Sequence, residues 1–506
     1  MFKNNKIVSL IVIATLIRCI IALTINLGND EVYYINYAQH FQWNYFDHPP
    51  MVGLLIKLTT LNLELTTDFF IRLGPILLSA VNTYLIYAIT KKIKNEKSGL
   101  VAALLFTSSI YSSIIAGVFI MPDAPQLFFW IASLYFLTNS VAVKKDTKTT
   151  NQNLLLFGIC AGLCIMSKVH GVFLWFGFGL YILLYDQKKL SNPYLYLALL
   201  LTILLILPIL FWNIDNNFIT YTFHSNRVTL DRGLSISSFL REIFGGALYN
   251  NPINYFLIGT AIVAIWKKNS NLKESYTRLL LLQSLPLILV LLFVSLFRDT
   301  LPHWSGPGYT ALIIVTACYL SDIKTKLSKL VFYAIYLIVG VSCIGIAAIN
   351  FYPGTLGSKN EAHLGQGDVT LDMYNWNYFK IEFQKILEQN KIEKKITPNC
   401  IINNKWFPGS HIDQYIAQPL GLNFVAIGTL DDIHTYRWLN KYRLPLKKGD
   451  NAYFITVSNN FSNPNEIYAD TFKKINTPTI IKQFRNNKPT RNLLVYLMEE
   501  YQGEEL

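Results

Sequence analysis

Acidic and imidazole side chains are concentrated in residues 29–53, NDEVYYINYAQHFQWNYFDHPPMVG, which directly follow a long apolar run. Asp30 and Glu31 open this stretch, and Asp47 and His48 follow within it. Carboxylates at the mouth of a helix can remove the proton of an acceptor hydroxyl group or hold a divalent cation. Acids at such a position can instead cap the N-terminus of the helix and face water. The stretch is therefore suited to proton transfer, cation binding or helix capping.

Aromatic residues in the same stretch favour the functional interpretation. Tyr33 and Tyr34 follow the first two acids, and aromatic rings form either a belt at the membrane surface or a platform for sugars. Asp123 begins a later apolar segment within MPDAPQLFFW. The grouping of acids and rings in one short stretch predicts a polar site at the end of the first apolar segment.

Basic side chains next to apolar segments form a second group of candidates. Lys168 lies in IMSKVHG between two apolar runs, Arg227 and Arg298 flank others, His303 adds a hydrogen-bond donor, and Arg18 lies inside the first run. An ionisable group in or beside a membrane is costly unless it has a partner, so each is a candidate for a functional site. A phosphate at the level of the lipid headgroups would be a suitable partner. The alternatives are an internal ion pair and extension of the side chain to the membrane surface.

The composition places these residues in a membrane protein. Of the 506 residues, 52% are hydrophobic and 15% are charged, and the mean hydropathy is +0.32. Soluble proteins have about 25% charged residues. The net charge of +13 could indicate nucleic-acid binding, but that function requires basic residues clustered on a soluble face. Because the early lysines lie in short runs between apolar segments, membrane topology explains them better, and no nucleic-acid partner is expected.

Apolar segments of about 20 residues, the length that spans a bilayer, recur along the first 350 residues. The amphipathic stretch at 235–249 is expected to lie in the membrane interface. The segments predict about eleven transmembrane helices, within a range of ten to thirteen, near 7–27, 70–90, 99–119, 124–143, 154–170, 171–185, 194–212, 252–266, 278–297, 305–320 and 330–350.

The distribution of charge among the loops predicts the orientation. With a cytoplasmic N-terminus, the inner segments carry 18 Lys and Arg residues against 5 Asp and Glu residues, and the outer loops have an excess of acids. The acid cluster, Asp123 and the chain from residue 351 onward then face the outer compartment. Since further spanning segments follow, the first apolar run is expected to be a transmembrane helix and not a cleaved signal peptide.

The composition changes after residue 350, and residues 351–506 contain no spanning run. Short strand-like pieces such as NFVAIG and AYFITVS alternate with a helix-like piece, NWNYFKIEFQKILEQ. The tail is predicted to be a small α/β domain outside the membrane, and residues 1–350 are predicted to be a transmembrane domain with a first outer loop at 28–69. The six cysteines show neither a disulfide framework nor the CxxC spacing of a metal site.

Several motifs occur in an order that resembles a known family: DEVYY with YFDHPPMVG, then MPDAPQLFFW, GLCIMSKVHG, PILFWNIDNNFITYTFHSNRV and LPHWSGPGY. Together they resemble the glycosyltransferases of the GT-C fold that use polyprenyl-phosphate sugars. The branch that contains lipid A aminoarabinose transferases and protein mannosyltransferases is the most similar. The resemblance covers about residues 7–350 and implies a polytopic α-helical fold, whereas the tail is only loosely similar.

The resemblance implies roles for the acids. The family has an acidic pair in its first outer loop, which Asp30 and Glu31 match, and the aspartate is the favoured general base. Asp123 matches a second acid, which would bind the acceptor, position the base or hold a metal. The pattern leaves open a divalent metal ion at Asp30, Glu31 and His48 and implies no other cofactor.

The resemblance also implies a site for the phosphate of the donor. Arg227 and Lys168 match basic positions of the family, and Arg227 is the better candidate. In aminoarabinose transferases a lysine precedes the proline of the loop motif; here His48 takes that place, as in the HPP of mannosyltransferases. The residues expected to line the substrate cavity are Tyr33, Tyr34, Asp47, His303 and Arg298.

The implied activity is an inverting glycosyl transfer at the periplasmic face of a bacterial inner membrane. The donor would be a sugar on a polyprenyl phosphate, and the acceptor would be lipid A, core oligosaccharide or another envelope glycan. The alternatives are a protein O-glycosyltransferase, an enzyme similar to an O-antigen ligase, and a transporter of lipid-linked sugars, for which broken helices near the membrane midplane are expected. The oligomeric state is left open.

Overall fold

The computed structural model describes residues 5–142, 147–228, 233–267, 272–323, 327–393 and 396–503. The chain divides into two compact units, each of which is described by itself. The first unit comprises Met1–Ala22 and Tyr37–Ser342, and the second comprises Leu23–Asn36 and Cys343–Leu506.

The first unit is built of α-helices. Of the helices up to residue 351, most of the second and the ends of the first and the last belong to the second unit. In chain order the helices through residue 351 are α1 (Asn5–Thr24), α2 (Asn29–Gln39), α3 (Met51–Thr59), α4 (Asp68–Ile93), α5 (Glu96–Ser108), α6 (Asp123–Ala142), α7 (Thr147–Ile165), α8 (Val172–Tyr185), α9 (Pro193–Asp215), α10 (Ile219–Val228), α11 (Ile236–Tyr249), α12 (Pro252–Trp266), α13 (Glu274–Leu282), α14 (Leu285–Ser295), α15 (Gly306–Asp322) and α16 (Leu327–Phe351).

Asparagine side chains begin three of these helices. Asn95, Asn192 and Asn251 precede α5, α9 and α12, and each side-chain oxygen accepts a hydrogen bond from a backbone N–H of the first turn at 2.9 to 3.1 Å. In α9 and α12 the next residue is proline, whose fixed φ angle suits the first helical position. The local sequence therefore sets where these helices start.

Close packing joins the helices of the first unit. Helix α15 is buried along almost its whole length and contributes to a core shared with α5, α6 and α7. Helices α7 and α9 approach so closely at Gly158 that a Cβ atom there would lie 2.3 Å from the carbonyl oxygen of Ala198. Only glycine allows this contact between the two backbones.

Five helices of the described part are long and apolar enough to cross a membrane. The sequence-predicted fold class, a helical membrane protein with a C-terminal α/β part, is confirmed, while the number of about eleven spans stays a prediction. Not every predicted span is one continuous helix. The apolar run 99–119 divides at Ser109, whose backbone is extended, into α5 and a π-helical turn at Tyr111–Ile115. The five are Lys6–Thr24, Asp68–Ile93, Pro193–Asp215, Glu274–Ser295, which joins α13 and α14, and Lys329–Phe351.

The second unit contains a mixed sheet of six strands among the described residues: β1 (Cys400–Asn403), β2 (Asn423–Ala426), β3 (Ala452–Val457), β4 (Phe472–Ile475), β5 (Thr479–Arg485) and β6 (Lys488–Tyr501). Their order is β2-β1-β3-β6-β4, and β5 also pairs with β6. Strand β1 is parallel to β2 and β3, whereas β3, β4 and β5 are antiparallel to β6. The helices are α17 (Trp376–Glu393), α18 (Trp406–Ile412), α19 (Leu430–Ile433), α20 (Tyr436–Leu439) and α21 (Pro464–Ile467).

A short segment from the start of the chain, Leu23–Asn36, is part of this second unit. The backbone N–H of Asn26 donates to the carbonyl of Met373 at 3.1 Å, and the N–H of Leu27 donates to the hydroxyl of Tyr415 at 3.0 Å. The unit is thus formed by two stretches of chain that are distant in sequence. The predicted boundary between domains near residue 350 stays a prediction.

Candidate active site

Asp30 and Glu31 occupy the first turn of α2, but their side chains have different surroundings. Glu31 is 2% exposed, and its Oε2 atom accepts a hydrogen bond of 2.8 Å from the backbone N–H of Gly28. An acid at the third helical position that reaches back in this way is half of a capping box. Asp30 is exposed. Helix capping therefore accounts for Glu31, whereas Asp30 is an exposed acid of the same helical turn.

Side-chain hydrogen bonds near both ends of α2 attach it to the rest of the second unit. Asn29 Nδ2 donates to Asp372 Oδ2 at 2.9 Å, and Asn36 Nδ2 donates to the hydroxyl of Tyr436 at 3.2 Å. The two asparagines lie about 10 Å apart along the helix axis. Two contacts at this separation fix both the position and the rotation of the helix that carries Asp30.

The hydroxyl of Tyr436 is part of a buried polar network. It lies 3.2 Å from Asp413 Oδ2, and Arg443 donates to both oxygens of Asp413 at 3.1 and 2.6 Å. Such a two-point contact between arginine and carboxylate fixes the geometry of both groups. Burial raises the pKa of Tyr436, so its hydroxyl keeps its proton. The network gives α2 a rigid attachment.

The carboxyl group that binds Asn29 has an altered pKa. Burial raises the pKa of Asp372 from 3.8 to about 6, while the positive charge of Arg491 and the hydrogen bond from Asn29 oppose this rise. Arg491 is buried, and its guanidinium lies 4.2 Å from the ring centre of Trp376. The attachment of Asn29 is therefore sensitive to pH.

Tyr33 and Tyr34, predicted to line the substrate cavity, lie in the interior of the second unit. They are 1% and 3% exposed, and their ring centres are 5.5 Å apart. Tyr33 also packs edge-on against Trp406 at 5.3 Å, and its hydroxyl accepts a hydrogen bond of 3.3 Å from the N–H of Thr435. Packing accounts for these two rings, and their contact with a substrate stays a prediction.

In the first unit, Asp123 forms a buried ion pair with Lys168. Their side chains are 1% and 4% exposed, and the Nζ to Oδ2 distance is 2.8 Å. The hydroxyl of Tyr111 donates to the other carboxylate oxygen at 3.2 Å. The N-terminal turn of α6 and the residues after α7 thus bring together two residues that are 45 positions apart.

Two histidines accompany this ion pair. His303, a predicted site residue, and His170 both lie near Asp123. The rings of His170 and Trp304 are 5.7 Å apart. Sequence analysis did not single out Tyr111 and His170. Tyr111 lies in an apolar run that gave no signal, whereas His170 follows Lys168 by two residues and could have been found there.

The loop after α2 brings Asp47 and His48 next to α10. The hydroxyl of Tyr37 donates to Asp47 Oδ1, and His224 Nε2 lies 2.8 Å from the backbone oxygen of Asp47. The rings of His48 and His224 are 6.1 Å apart. Sequence analysis missed His224, although it stands in the same FHSNRV motif as Arg227.

The two predicted arginines can be placed only in part. Arg227 lies in α10, and its side chain is outside the described residues. Arg298 follows α14 and is 8% exposed. The neighbouring Asp299 pairs with Arg241 of α11. A contact of either Arg227 or Arg298 with a donor phosphate stays a prediction.

A metal site receives no support from the described side chains. Within either unit, the described residues contain no group of three His, Cys, Asp or Glu side chains that could hold a metal ion. Asp30 and Glu31 belong to the second unit and His48 to the first. A metal site formed by these three residues therefore stays a prediction.

Comparison with known proteins adds to this geometry. Residues 47–212, which include Asp123 and Lys168, match the family model described as dolichyl-phosphate-mannose-protein mannosyltransferase. Lipid A galacturonosyltransferase RgtD from Rhizobium johnstonii is 24% identical over 356 residues, which are 68% of this chain and 69% of the relative.

The fold itself is similar to that of ArnT from Cupriavidus metallidurans. The apo structure of ArnT gives a TM-score of 0.67 at 12% identity and covers 98% of both chains. The structure of ArnT bound to undecaprenyl phosphate gives a TM-score of 0.64, covering 97% of this chain and 98% of ArnT. This chain is a glycosyltransferase of the GT-C fold. The glycosyltransferase is also a multi-pass membrane protein, because several of its helices are long and apolar enough to span a bilayer.

Proposed function

We propose that this glycosyltransferase moves a sugar from a polyprenyl-phosphate donor to a hydroxyl group of lipid A or another envelope glycan. It would act at the periplasmic face of the bacterial inner membrane. The observation that carries the proposal is the exposed Asp30 on a helix fixed near both ends, beside a Glu31 that caps the same helix. The relatives supply the substrate class: RgtD is named for lipid A, and ArnT has been solved with undecaprenyl phosphate.

In the proposed reaction Asp30 acts as the general base. Its carboxylate takes the proton of the acceptor hydroxyl while the hydroxyl oxygen forms a bond to the anomeric carbon of the donor sugar. The bond between that carbon and the phosphate oxygen breaks on the opposite face, so the configuration inverts. The electron pair leaves with the polyprenyl phosphate.

Basic groups would stabilise the charge that develops on the leaving phosphate. Arg227 is the first candidate, with help from Lys168 and His48. An ammonium group has three N–H donors, so Lys168 can bind Asp123 and a phosphate oxygen at the same time. In this arrangement Asp123 holds Lys168 in position and does not itself transfer a proton.

The test compares two matched variants of the acid pair. Asp30→Asn removes the base but keeps the size of the side chain, and we expect turnover to fall about 100- to 10,000-fold with donor binding unchanged. Glu31→Gln should mainly lower stability. Transfer from a polyprenyl-phosphate sugar to lipid A, followed by mass spectrometry, gives the rates. A near-normal rate for Asp30→Asn would exclude it as the base.

The acceptor can be identified in cells. Lipid A, core oligosaccharide and total glycolipids are compared by mass spectrometry between cells with and without the gene. We expect loss of a sugar-sized mass in the deletion, with rescue by the wild type and none by Asp30→Ala. No change in any glycolipid would contradict a glycolipid acceptor.

A second candidate function is sugar transfer to protein hydroxyl groups. The family match over residues 47–212 and the His48-Pro-Pro sequence favour it. Mass spectrometry of periplasmic glycoproteins from the same two strains distinguishes it from glycolipid modification.

A further inference from the structure

A groove in the first unit lies between α1 and α16. Its walls are mostly isoleucine and other apolar side chains, including Ile13 and Ile17 of α1 and Ile338 and Val339 of α16. Ile13 is 57% exposed and Val339 is 38% exposed. Because both helices are long and apolar enough to cross a membrane, the groove opens toward the lipid.

Two polar groups with unused hydrogen-bonding capacity line this apolar groove. Arg18 is 2% exposed, and its Nη1 atom has no hydrogen-bond partner among the described residues. Thr107 of α5 is 8% exposed, and its hydroxyl oxygen likewise lacks a partner in the described part of the chain. Buried polar atoms nearly always have partners, so two such atoms in one groove indicate a bound group.

The charge of Arg18 specifies the kind of group. Its described hydrogen bonds go to the carbonyl oxygen of Ser113, from Nε at 3.3 Å, and to the hydroxyl of Ser113, from Nη2 at 3.1 Å. Both acceptors are neutral, and a buried cation in a membrane is costly without an opposite charge. An anionic oxygen placed at Nη1 would satisfy both the charge and the unused N–H group.

The position of Arg18 along α1 suits a lipid headgroup. Arg18 precedes the end of the helix at Thr24 by six residues, which is about 9 Å. A phosphate reaches this depth where a cation draws headgroups and water into the bilayer. From Arg18 the groove continues along α1 to Leu10, about 12 Å farther, and this part is apolar, as an acyl chain requires.

We propose that this groove binds one membrane phospholipid. A phosphate oxygen accepts hydrogen bonds from Arg18 Nη1 and the Thr107 hydroxyl, and an acyl chain lies between α1 and α16. This binding site is separate from the proposed transfer of sugar, and its test involves no sugar.

The test is native mass spectrometry of the purified full-length protein with three probes. These are phosphatidylglycerol, a diacylglycerol with the same acyl chains, and undecaprenyl phosphate. Two variants remove the site in different ways. Arg18→Leu removes the positive charge, whereas Ile17→Trp fills the groove and leaves Arg18 in place. Leu16→Trp is the matched control, because Leu16 is 58% exposed and is not part of the groove.

We expect the wild type and Leu16→Trp to retain one phosphatidylglycerol, and both site variants to bind it about tenfold more weakly. If Arg18→Leu fails to fold, Ile17→Trp decides. Equal retention of phosphatidylglycerol by the wild type and Ile17→Trp would overturn the site. Equal binding of diacylglycerol would overturn the contact with phosphate. The proposed active site also binds a polyprenyl phosphate, so the readout for undecaprenyl phosphate is its loss when the groove is filled. A larger loss of undecaprenyl phosphate than of phosphatidylglycerol in Ile17→Trp, relative to the wild type, would overturn the assignment to a phospholipid.

Discussion

Asp123 and Lys168 depend on each other because both are buried. Replacing Lys168 by methionine leaves a carboxylate without its counter-charge, which costs about 3–5 kcal/mol of stability for a buried pair. The double variant Asp123→Asn, Lys168→Met replaces both residues and leaves no unpaired charge. We therefore expect Lys168→Met to lower the unfolding temperature in detergent more than the double variant does. Equal losses would show that the two charges are not coupled.

Asp372 makes the stability of the second unit depend on pH. Its pKa rises from 3.8 in the ordinary carboxyl group to about 6 in the folded protein because the group is buried. The folded state then binds the proton more tightly than the unfolded state, so the stabilisation is complete below about pH 4 and is lost as the pH rises through 6.

Asp372→Asn should remove this pH dependence. Between pH 4 and 7 we expect the wild type to lose up to about 2–3 kcal/mol that the variant does not lose. Unfolding temperatures measured at several pH values give the comparison. Parallel curves for the two proteins would contradict the assignment to Asp372.

Helix α2 connects the proposed base to the second unit, and this connection can be weakened without touching Asp30. Tyr436→Phe removes the hydroxyl that accepts the hydrogen bond from Asn36. We expect kcat to fall while KM for the donor changes little, because the variant loosens the position of the base and leaves the donor contacts unchanged. Tyr378→Phe is the control, since its hydroxyl binds the backbone oxygen of Lys482 instead. A change in KM alone would argue against a positioning role.

The elements themselves could be predicted from sequence where the pattern is local. The apolar run 252–266 coincides with α12, and AYFITVS contains β3. In both cases the apolar residues of the segment itself show that it is buried. The membership of α2 in the second unit could not be predicted. It depends on Asn29 meeting Asp372 and Asn36 meeting Tyr436, and contacts between such distant residues leave no local pattern.

The candidate site shows the same limit. Charged residues beside apolar runs were identified because burial of a charge in a membrane is costly. The sequence did not predict that Lys168 binds Asp123, or that Tyr111 joins them, because only the fold brings α6, α7 and the π-helical turn together.

At the scale of the whole molecule, the charges of the loops predict the orientation in the membrane. Lys188 lies in a predicted cytoplasmic loop and Gln389 lies in the tail, and both residues are exposed. Each is replaced by cysteine, as Lys188→Cys and Gln389→Cys. Both variants also carry Cys343→Ser, which removes an exposed cysteine. In spheroplasts we expect a membrane-impermeant maleimide to label Gln389→Cys at once and Lys188→Cys only after permeabilisation. The reverse order would invert the proposed topology and move Asp30 to the cytoplasmic side.

The divided second unit also sets when α2 can reach its partners during synthesis of the chain. The segment Leu23–Asn36 is translated long before its partners Asp372 and Tyr436. Tyr436 follows Asn36 by 400 residues. At about 5–20 residues per second, α2 waits for its partners for roughly 20 to 80 s. A ribosome that stops early therefore releases a chain in which α2 lacks these partners. With Asp30 as the proposed base, we expect such an incomplete chain to leave lipid-linked sugar unconsumed.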